Sequence, residues 1–335
     1  MNDYNNTAHP RVLDAIRGMD GKRFSCYGTD EVTEEAAGMI RGLTGRPDAD
    51  VHFLAGGTLT NLTSIGAFLR PHEAVISPAS SHIYMHETGA IEAAGHKIIN
   101  FNAKEGKADA ASVQAVIEAH LDEHMVKPKL LFISQATELG TIYMKDDLVL
   151  LRDLCDKYGL YLYIDGARLS NALASDACDL TLEDLGGLAD AFYIGGTKNG
   201  LLFGEALVIV KDQLKEDFRF LMKQRGALLA KGFLFGIQFR ALLEDGLYLE
   251  LARHANDMAA QLKEGLRSLG VSMFIENDTN QVFVYVRSEM MPVIEEKAMF
   301  ECWGPEEKEG VPVRFVTSWA TTKSEIDSIL DCFSA

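Results

Sequence analysis

Two stretches decide the fold: Tyr161-Leu162-Tyr163-Ile164-Asp165-Gly166-Ala167-Arg168 and, about thirty residues later, Ala191-Phe192-Tyr193-Ile194-Gly195-Gly196-Thr197-Lys198. Each is a short apolar run that ends in glycine and charge. Runs of Ile, Leu, Tyr and Phe without polar alternation read as strands buried on both faces, in a mostly parallel sheet covered by helices. Ligands of such sheets bind at the carboxyl ends of the strands. Here those ends carry a carboxylate, Asp165, and an amine, Lys198. That pair suits pyridoxal 5'-phosphate: the lysine forms a Schiff base with its aldehyde, and the carboxylate keeps the ring nitrogen protonated so that the ring accepts electrons. Plainer readings stand beside it. Lys198 alone reads as a surface lysine, Asp165 as the cap of a helix beginning at Gly166, and Arg168, one helical turn on, as an ion-pair partner. The cofactor reading explains more, because Gly195 and Gly196 let backbone approach a ligand and a pocket there favours the neutral amine.

Around these stretches, apolar runs at 51–54, 74–77, 97–101, 129–134 and 206–210 complete a set of seven strand candidates. Helical spacing joins them, as at Val113, Val116, Ile117, His120 and Leu121, or at Leu148, Leu151, Cys155 and Tyr158. After about residue 240 the rhythm changes. A long helix over 246–269 leads to strands at 271–275, 281–286 and 311–317, with a helix near 292–300. A last helix opens on the capping box Thr322 and Glu325. The expected architecture is a large domain over 1–240, including an N-terminal arm, and a small α+β domain over 241–335.

Gly56-Gly57-Thr58 follows the strand at 51–54 and precedes a helix, so its N–H groups and the helix dipole form a cup for one phosphate. It is neither a P-loop nor GxGxxG. His82 has three readings: stacking on an aromatic cofactor, pairing with His86 on a metal, or loop residue. The HExxH order is absent, which makes metal the weakest.

Thirty-two basic against forty-nine acidic residues give a net charge of −17, which disfavours nucleic-acid and membrane roles. No apolar run approaches a membrane span, and the first residues lack a signal-peptide core. Five scattered cysteines without a CxxC pair indicate neither a disulfide framework nor a zinc site, and the expected setting is cytoplasmic.

Taken together, the pieces resemble the low-specificity L-threonine aldolase group of the β-eliminating lyase family, pyridoxal phosphate enzymes of the aspartate aminotransferase fold (fold type I). The resemblance runs from Asn2 to about Ala320. It rests on His9-Pro10, Tyr27-Gly28 with Asp30, Gly57-Thr58 with Asn61, His82 with Glu87-Thr88-Gly89-Ala90, Asp165 to Leu169 with Asn171-Ala172, Lys198 and Arg314. It implies Lys198 as the Schiff-base lysine, Asp165 at the ring nitrogen, His82 on the ring face, and Gly57 and Thr58 at the phosphate. Arg168 and Arg314 would clamp the substrate carboxylate, with Asn2 and Tyr27 also at the substrate. Lys231 stands where the family has a phosphate-binding arginine from the neighbouring chain, so a homodimer or homotetramer with shared sites is implied. Thr197, Asn2, Tyr4 and Glu138 depart from the family's usual serine, serine, asparagine and histidine.

The implied reaction is cleavage of L-threonine, L-allo-threonine or a related 3-hydroxy-α-amino acid to glycine and an aldehyde. His82, Glu87 or a water stands as the base for the 3-hydroxyl proton. The rivals are β-elimination on the same scaffold and a non-catalytic α/β binding protein.

Overall fold

Seven strands form one sheet in this computed structural model, which describes residues 1–334: Asp50–Leu54 (β1), Glu73–Pro78 (β2), Ile98–Phe101 (β3), Lys127–Ser134 (β4), Tyr161–Asp165 (β5), Ala191–Gly195 (β6) and Glu205–Ile209 (β7). Their order is β1-β7-β6-β5-β4-β2-β3. The neighbours from β6 to β3 pair in parallel, whereas β7 runs antiparallel to both β6 and β1. Side chains alternate between two apolar layers, as the period of a strand requires. Leu131, Ile133, Leu162, Ile164, Phe192 and Ile194 face one layer, while Leu130, Phe132, Tyr163 and Tyr193 face the other. Both faces are dry, which explains the lack of polar alternation in the sequence.

A second, antiparallel sheet follows, of Met273–Ile275 (β8), Gln281–Val286 (β9), Glu301–Cys302 (β10) and Val311–Val316 (β11), ordered β10-β11-β9-β8. The helix expected over 292–300 covers only Met291–Glu295. The chain is extended soon afterwards, because Glu301 and Cys302 pair with Arg314 and Val313 at the sheet edge. Likewise the helical pattern running to Leu121 stops at Glu118, and Leu121 is exposed. The last helix, Lys323–Phe333, carries the expected capping box of Thr322 and Glu325.

Helix Leu247–Ser268 ties the sheets together. Its first turns place Leu247, Tyr248 and Leu251 in the large sheet's core, and its later turns place Met258, Leu262 and Leu266 in the small sheet's core. The N-terminal segment also joins both units. Met1 packs on the small core, and Asp3 is buried at the large sheet's edge.

Beyond β5 and β6 the two backbones touch. Gly195 N–H donates to the Gly166 carbonyl at 3.0 Å. A Cβ on Gly166 would sit 1.7 Å from the Tyr193 carbonyl oxygen, and one on Gly195 would sit 2.6 Å from the carbonyls of Gly166 and Ala167. Both glycines are therefore required by close approach.

Gly166→Ala should lower unfolding stability by about 3 kcal/mol or more, since neither backbone can yield without separating the strands. Gly187→Ala is the control: its Cβ meets nothing within 4 Å in helix Leu182–Leu188, so it should be neutral or gain up to about 1 kcal/mol. Urea midpoints of the two variants measure the contrast.

Candidate active site

Lys198, Asp165, His82, Gly57, Thr58 and Arg168 line one cavity of about 170 Å³. It opens at the carboxyl edge of the large sheet, where β2, β4, β5 and β6 end. A larger groove of about 680 Å³ lies elsewhere, against the long helix, and none of these six residues lines it.

Asp165 ends β5 with both oxygens engaged. Oδ1 accepts from the Tyr193 hydroxyl at 2.5 Å and from Ala167 N–H at 3.0 Å, and Oδ2 accepts from Asn61 Nδ2 at 3.0 Å. The bond to Ala167 is a local side-chain turn, and the next helix starts only at Leu169. The helix-cap reading of Asp165 is therefore corrected, and Arg168 does not lie a helical turn from it. Oδ2 has one protein donor and keeps acceptor capacity toward the cavity.

His82 faces the cavity with Glu87 behind it. Its Nδ1 lies 2.8 Å from Glu87 Oε1, and the Glu87 side chain is wholly buried. The Asn61 amide donates to both Glu87, at 2.8 Å, and Asp165, while Tyr163 donates to Asn61 Oδ1 at 3.2 Å. One network thus orients His82 and Asp165 together. Glu87, named above as a candidate base, does not line the cavity. It positions the imidazole and cannot reach a substrate past it.

The cup is built from Gly56 and the first turn of helix Gly57–Phe68. No side chain caps that helix, so its free N–H groups remain available to an anion. A Cβ at Gly57 would lie 3.1 Å from the Tyr193 hydroxyl. An amine, an anion cup, a carboxylate and an imidazole face in one cavity fit pyridoxal phosphate: Gly57 and Thr58 would hold its phosphate, Asp165 its ring nitrogen, His82 its ring and Lys198 its aldehyde.

Arg168 grips Asp3, with Nε at 2.8 Å and Nη2 at 3.0 Å from its two oxygens, and both side chains are buried. Burial opposes the Asp3 charge, but the Arg168 guanidinium and the Lys198 ammonium hold its carboxyl below the usual range. Arg314, on β11, donates to Gln281 at 2.9 Å and pairs with Glu301, and its guanidinium lies 4.3 Å from the Trp303 ring centroid. Its Nε is buried without a partner. Burial, then the nearby Arg168 charge, pulls the Arg314 pKa down. Both arginines predicted for carboxylate binding are therefore near one another, each facing a protein carboxylate.

Besides Glu87, four predicted residues lie outside the cavity lining: Arg314, Asn2, Tyr27 and Lys231. Asn2 accepts from Tyr4 N–H at 3.0 Å through its own side chain, and it is Tyr4 that lines the site, with Lys198 Nζ 5.2 Å from its ring centroid. Tyr27 and Lys231 lie together on another face, where Tyr27 N–H donates to the Ala230 carbonyl at 2.9 Å. Asp3 and Glu205, which do belong to the site region, were not expected, and Glu138, named above only as a departure from the family's histidine, lines the cavity. Asp3 and Arg168 are 165 positions apart, so no local pattern links them.

The family model for beta-eliminating lyases matches residues 15–289. The low specificity L-threonine aldolase of Pseudomonas sp. is 32% identical over 305 residues, spanning 90% of this chain and 86% of that protein. The protein of the same name from Pseudomonas aeruginosa is 34% identical over 261 residues, spanning 77% and 75%. A solved Leishmania major threonine aldolase matches with a TM-score of 0.98 and 44% identity, covering 100% of this chain and 98% of that one. An aspartate aminotransferase of Thermus thermophilus, 16% identical with a TM-score of 0.74 over 98% of this chain and 88% of its own, shares the fold.

Glu205 shows why strand direction matters here. Because β7 runs against its neighbours, its first residue lies at the same edge as the last residues of β1 and β6, opposite Leu54 and Gly195. Its Oε2 accepts from Gly196 N–H at 3.0 Å, just before Lys198. Burial pushes the Glu205 carboxyl up from 4.5 to about 7, with Thr197 and Gly196 opposing. An unfolded chain sheds this proton near the ordinary value, and the folded chain holds it to about pH 7. Folded stability is therefore unaffected below about pH 4.5, falls between 4.5 and 7, and above 7 carries the full penalty of about 3 kcal/mol. Glu205→Gln should raise the urea midpoint of the cofactor-free protein at pH 8, with the gain shrinking toward zero near pH 5.

Proposed function

The chain belongs to the beta-eliminating lyase family, and on that footing we propose a pyridoxal 5'-phosphate-dependent aldolase that cleaves L-threonine, L-allo-threonine or a related L-3-hydroxy-α-amino acid to glycine and an aldehyde. The observation that carries the reading is one cavity lined by the amine of Lys198, the carboxylate of Asp165 and the uncapped glycine cup. When bound, the cofactor supplies an aldehyde for an amine and a ring that takes up the electron pair of the breaking Cα–Cβ bond.

The protein's own groups do the rest. The Gly57–Thr58 turn and the helix dipole hold the phosphate. Asp165, fixed by Asn61, Tyr193 and Ala167, would present its carboxylate to the ring nitrogen. His82, braced by Glu87, covers the ring face. Arg168 and Arg314 would orient the substrate carboxylate, and that orientation would select which bond at Cα reacts. Their present partners, Asp3 and Glu301, mean that substrate enters by competing with protein carboxylates. Glu301 is half-exposed and yields more readily than buried Asp3.

If the chain divides into two units near residue 240, the carboxylate clamp would draw on both, with Arg168 from one and Arg314 from the other. The assembly is a homodimer or homotetramer. Lys231 and Tyr27 lie outside their own chain's cavity, and Tyr27 lines a smaller cleft with the exposed Leu229; a second copy would bring them to a neighbouring cup. Five free cysteines suit a reducing, cytoplasmic setting.

Lys198→Ala should abolish turnover while leaving thermal stability within about 2 °C, because its side chain lines a cavity and packs in no core. Borohydride treatment of the loaded wild type should add the reduced cofactor's mass to the peptide carrying Lys198, and the variant should gain none. Glycine plus aldehyde among the products supports cleavage, whereas ammonia plus a keto acid would establish β-elimination instead. Arg314→Lys should raise KM for threonine about tenfold or more, since an ammonium cannot reproduce the paired guanidinium contact. Cofactor affinity, measured by fluorescence titration, should stay within about twofold.

A further inference from the structure

We propose that Glu138 accepts the proton of the substrate's 3-hydroxyl as the Cα–Cβ bond breaks. The inference deepens the aldolase reading of the same cavity and rests on it. Glu138 lies just beyond β4, and its carboxylate lines the cavity with Lys198, His82 and Arg168. Oε1 accepts from the Ser134 hydroxyl at 2.7 Å and from His82 backbone N–H at 2.8 Å. Both donors are neutral, and among the described residues no Lys, Arg or His side chain forms an ion pair with Glu138. Oε2 has no such bond, yet it is not among the buried polar atoms left without a partner, so the cavity reaches it. One oxygen is anchored and the other is free to work.

The competing groups are committed elsewhere. His82 Nδ1 is held by Glu87, and Glu87 itself is sealed behind the ring. Asp165 is bound by three protein donors at the far end of the network. Glu205, at the start of β7, pairs with Leu54 at the end of β1, on the side of the glycine cup. Glu138 is instead at the end of β4, the strand next to the one that leads to Arg168 and therefore to the substrate's carboxylate. Burial, with Asp165 adding to it, raises the Glu138 carboxyl above its ordinary range, which brings it toward the strength a base needs near neutrality.

In the step itself, the O–H bond of the 3-hydroxyl breaks and its proton passes to Oε2. The O–H electron pair becomes the second bond of the new carbonyl, and the Cα–Cβ pair leaves with Cα, stabilised by the bound cofactor. Cα later gains one proton, so the reaction consumes and releases no net proton and needs no further reactant.

Glu138→Gln tests this, because the amide oxygen can still accept from Ser134 and His82 while the group no longer takes a proton. Three quantities are compared with wild type: cofactor affinity by fluorescence titration, threonine cleavage, and exchange of the glycine Cα hydrogen for deuterium, followed by NMR. Glycine carries no 3-hydroxyl, so its exchange needs the cofactor and the clamp but not this base. The expected result is cofactor affinity within about twofold, glycine exchange within about fivefold, and kcat for cleavage down by about 10²–10³-fold. Cleavage within about fivefold of wild type would overturn the proposal. So would glycine exchange and cofactor affinity falling in step with cleavage, which would make Glu138 a positioning residue. A wild type that binds cofactor and exchanges glycine but cleaves no 3-hydroxy amino acid would remove the aldolase reading itself, and this proposal with it.

Discussion

The backbone contact between Gly166 and Gly195 sets how far the carboxylate at the end of β5 stands from the amine beyond β6. No side chain is small enough to share that crossing, because a Cβ on Gly166 would lie almost on the Tyr193 carbonyl oxygen. Tyr193 in turn donates its hydroxyl to Asp165, and a Cβ on Gly57 would press on that same hydroxyl. The glycine cup, the Asp165 carboxylate and the lysine are therefore held to one another through the sheet and not through a loop. A site placed on strand ends in this way has geometry as rigid as the packed layers behind it.

Charge is arranged with equal economy. A chain carrying −17 presents a surface hostile to free carboxylates and phosphates. Two guanidiniums stand in this region, each matched by a carboxylate of the protein. Two unpaired arginines held close together would repel, and burial would make that repulsion costly. Asp3 and Glu301 relieve it.

The large sheet was legible because its strands are dry on both faces, and a dry strand leaves a run of Ile, Leu, Tyr and Phe that little else mimics. Lys198, Asp165, His82 and the Gly57–Thr58 turn were legible for a related reason, since each lies within a few residues of such a run. What escaped is what depends on direction or distance in space. Glu205 opens an apolar strand and looks like a residue at a solvated end, and only the antiparallel course of β7 brings it under the lysine turn. Glu87 follows His82 closely enough to suggest a shared catalytic task. However, the left-handed backbone at Thr88 and Gly89 turns the chain there, and the carboxylate packs behind the imidazole. Asp3 could not be assigned at all, because its partners Arg168 and Asn280 come from distant parts of the chain.

Helix Leu247–Ser268 and the segment at residues 1–3 divide the molecule differently when the chain is followed in its order of synthesis. Everything that shapes the cup and holds Asp165 and Lys198 falls between β1 and β7, so a nascent chain can settle that part before the small sheet has been made. Asp3 meets Arg168 in that period, but Asn280 and the apolar neighbours of Met1 are translated much later. A chain still attached to the ribosome can thus form the strand-end cavity before the Arg314 side is made. Residues 1–3, although early in the sequence, are among the last to find all their partners.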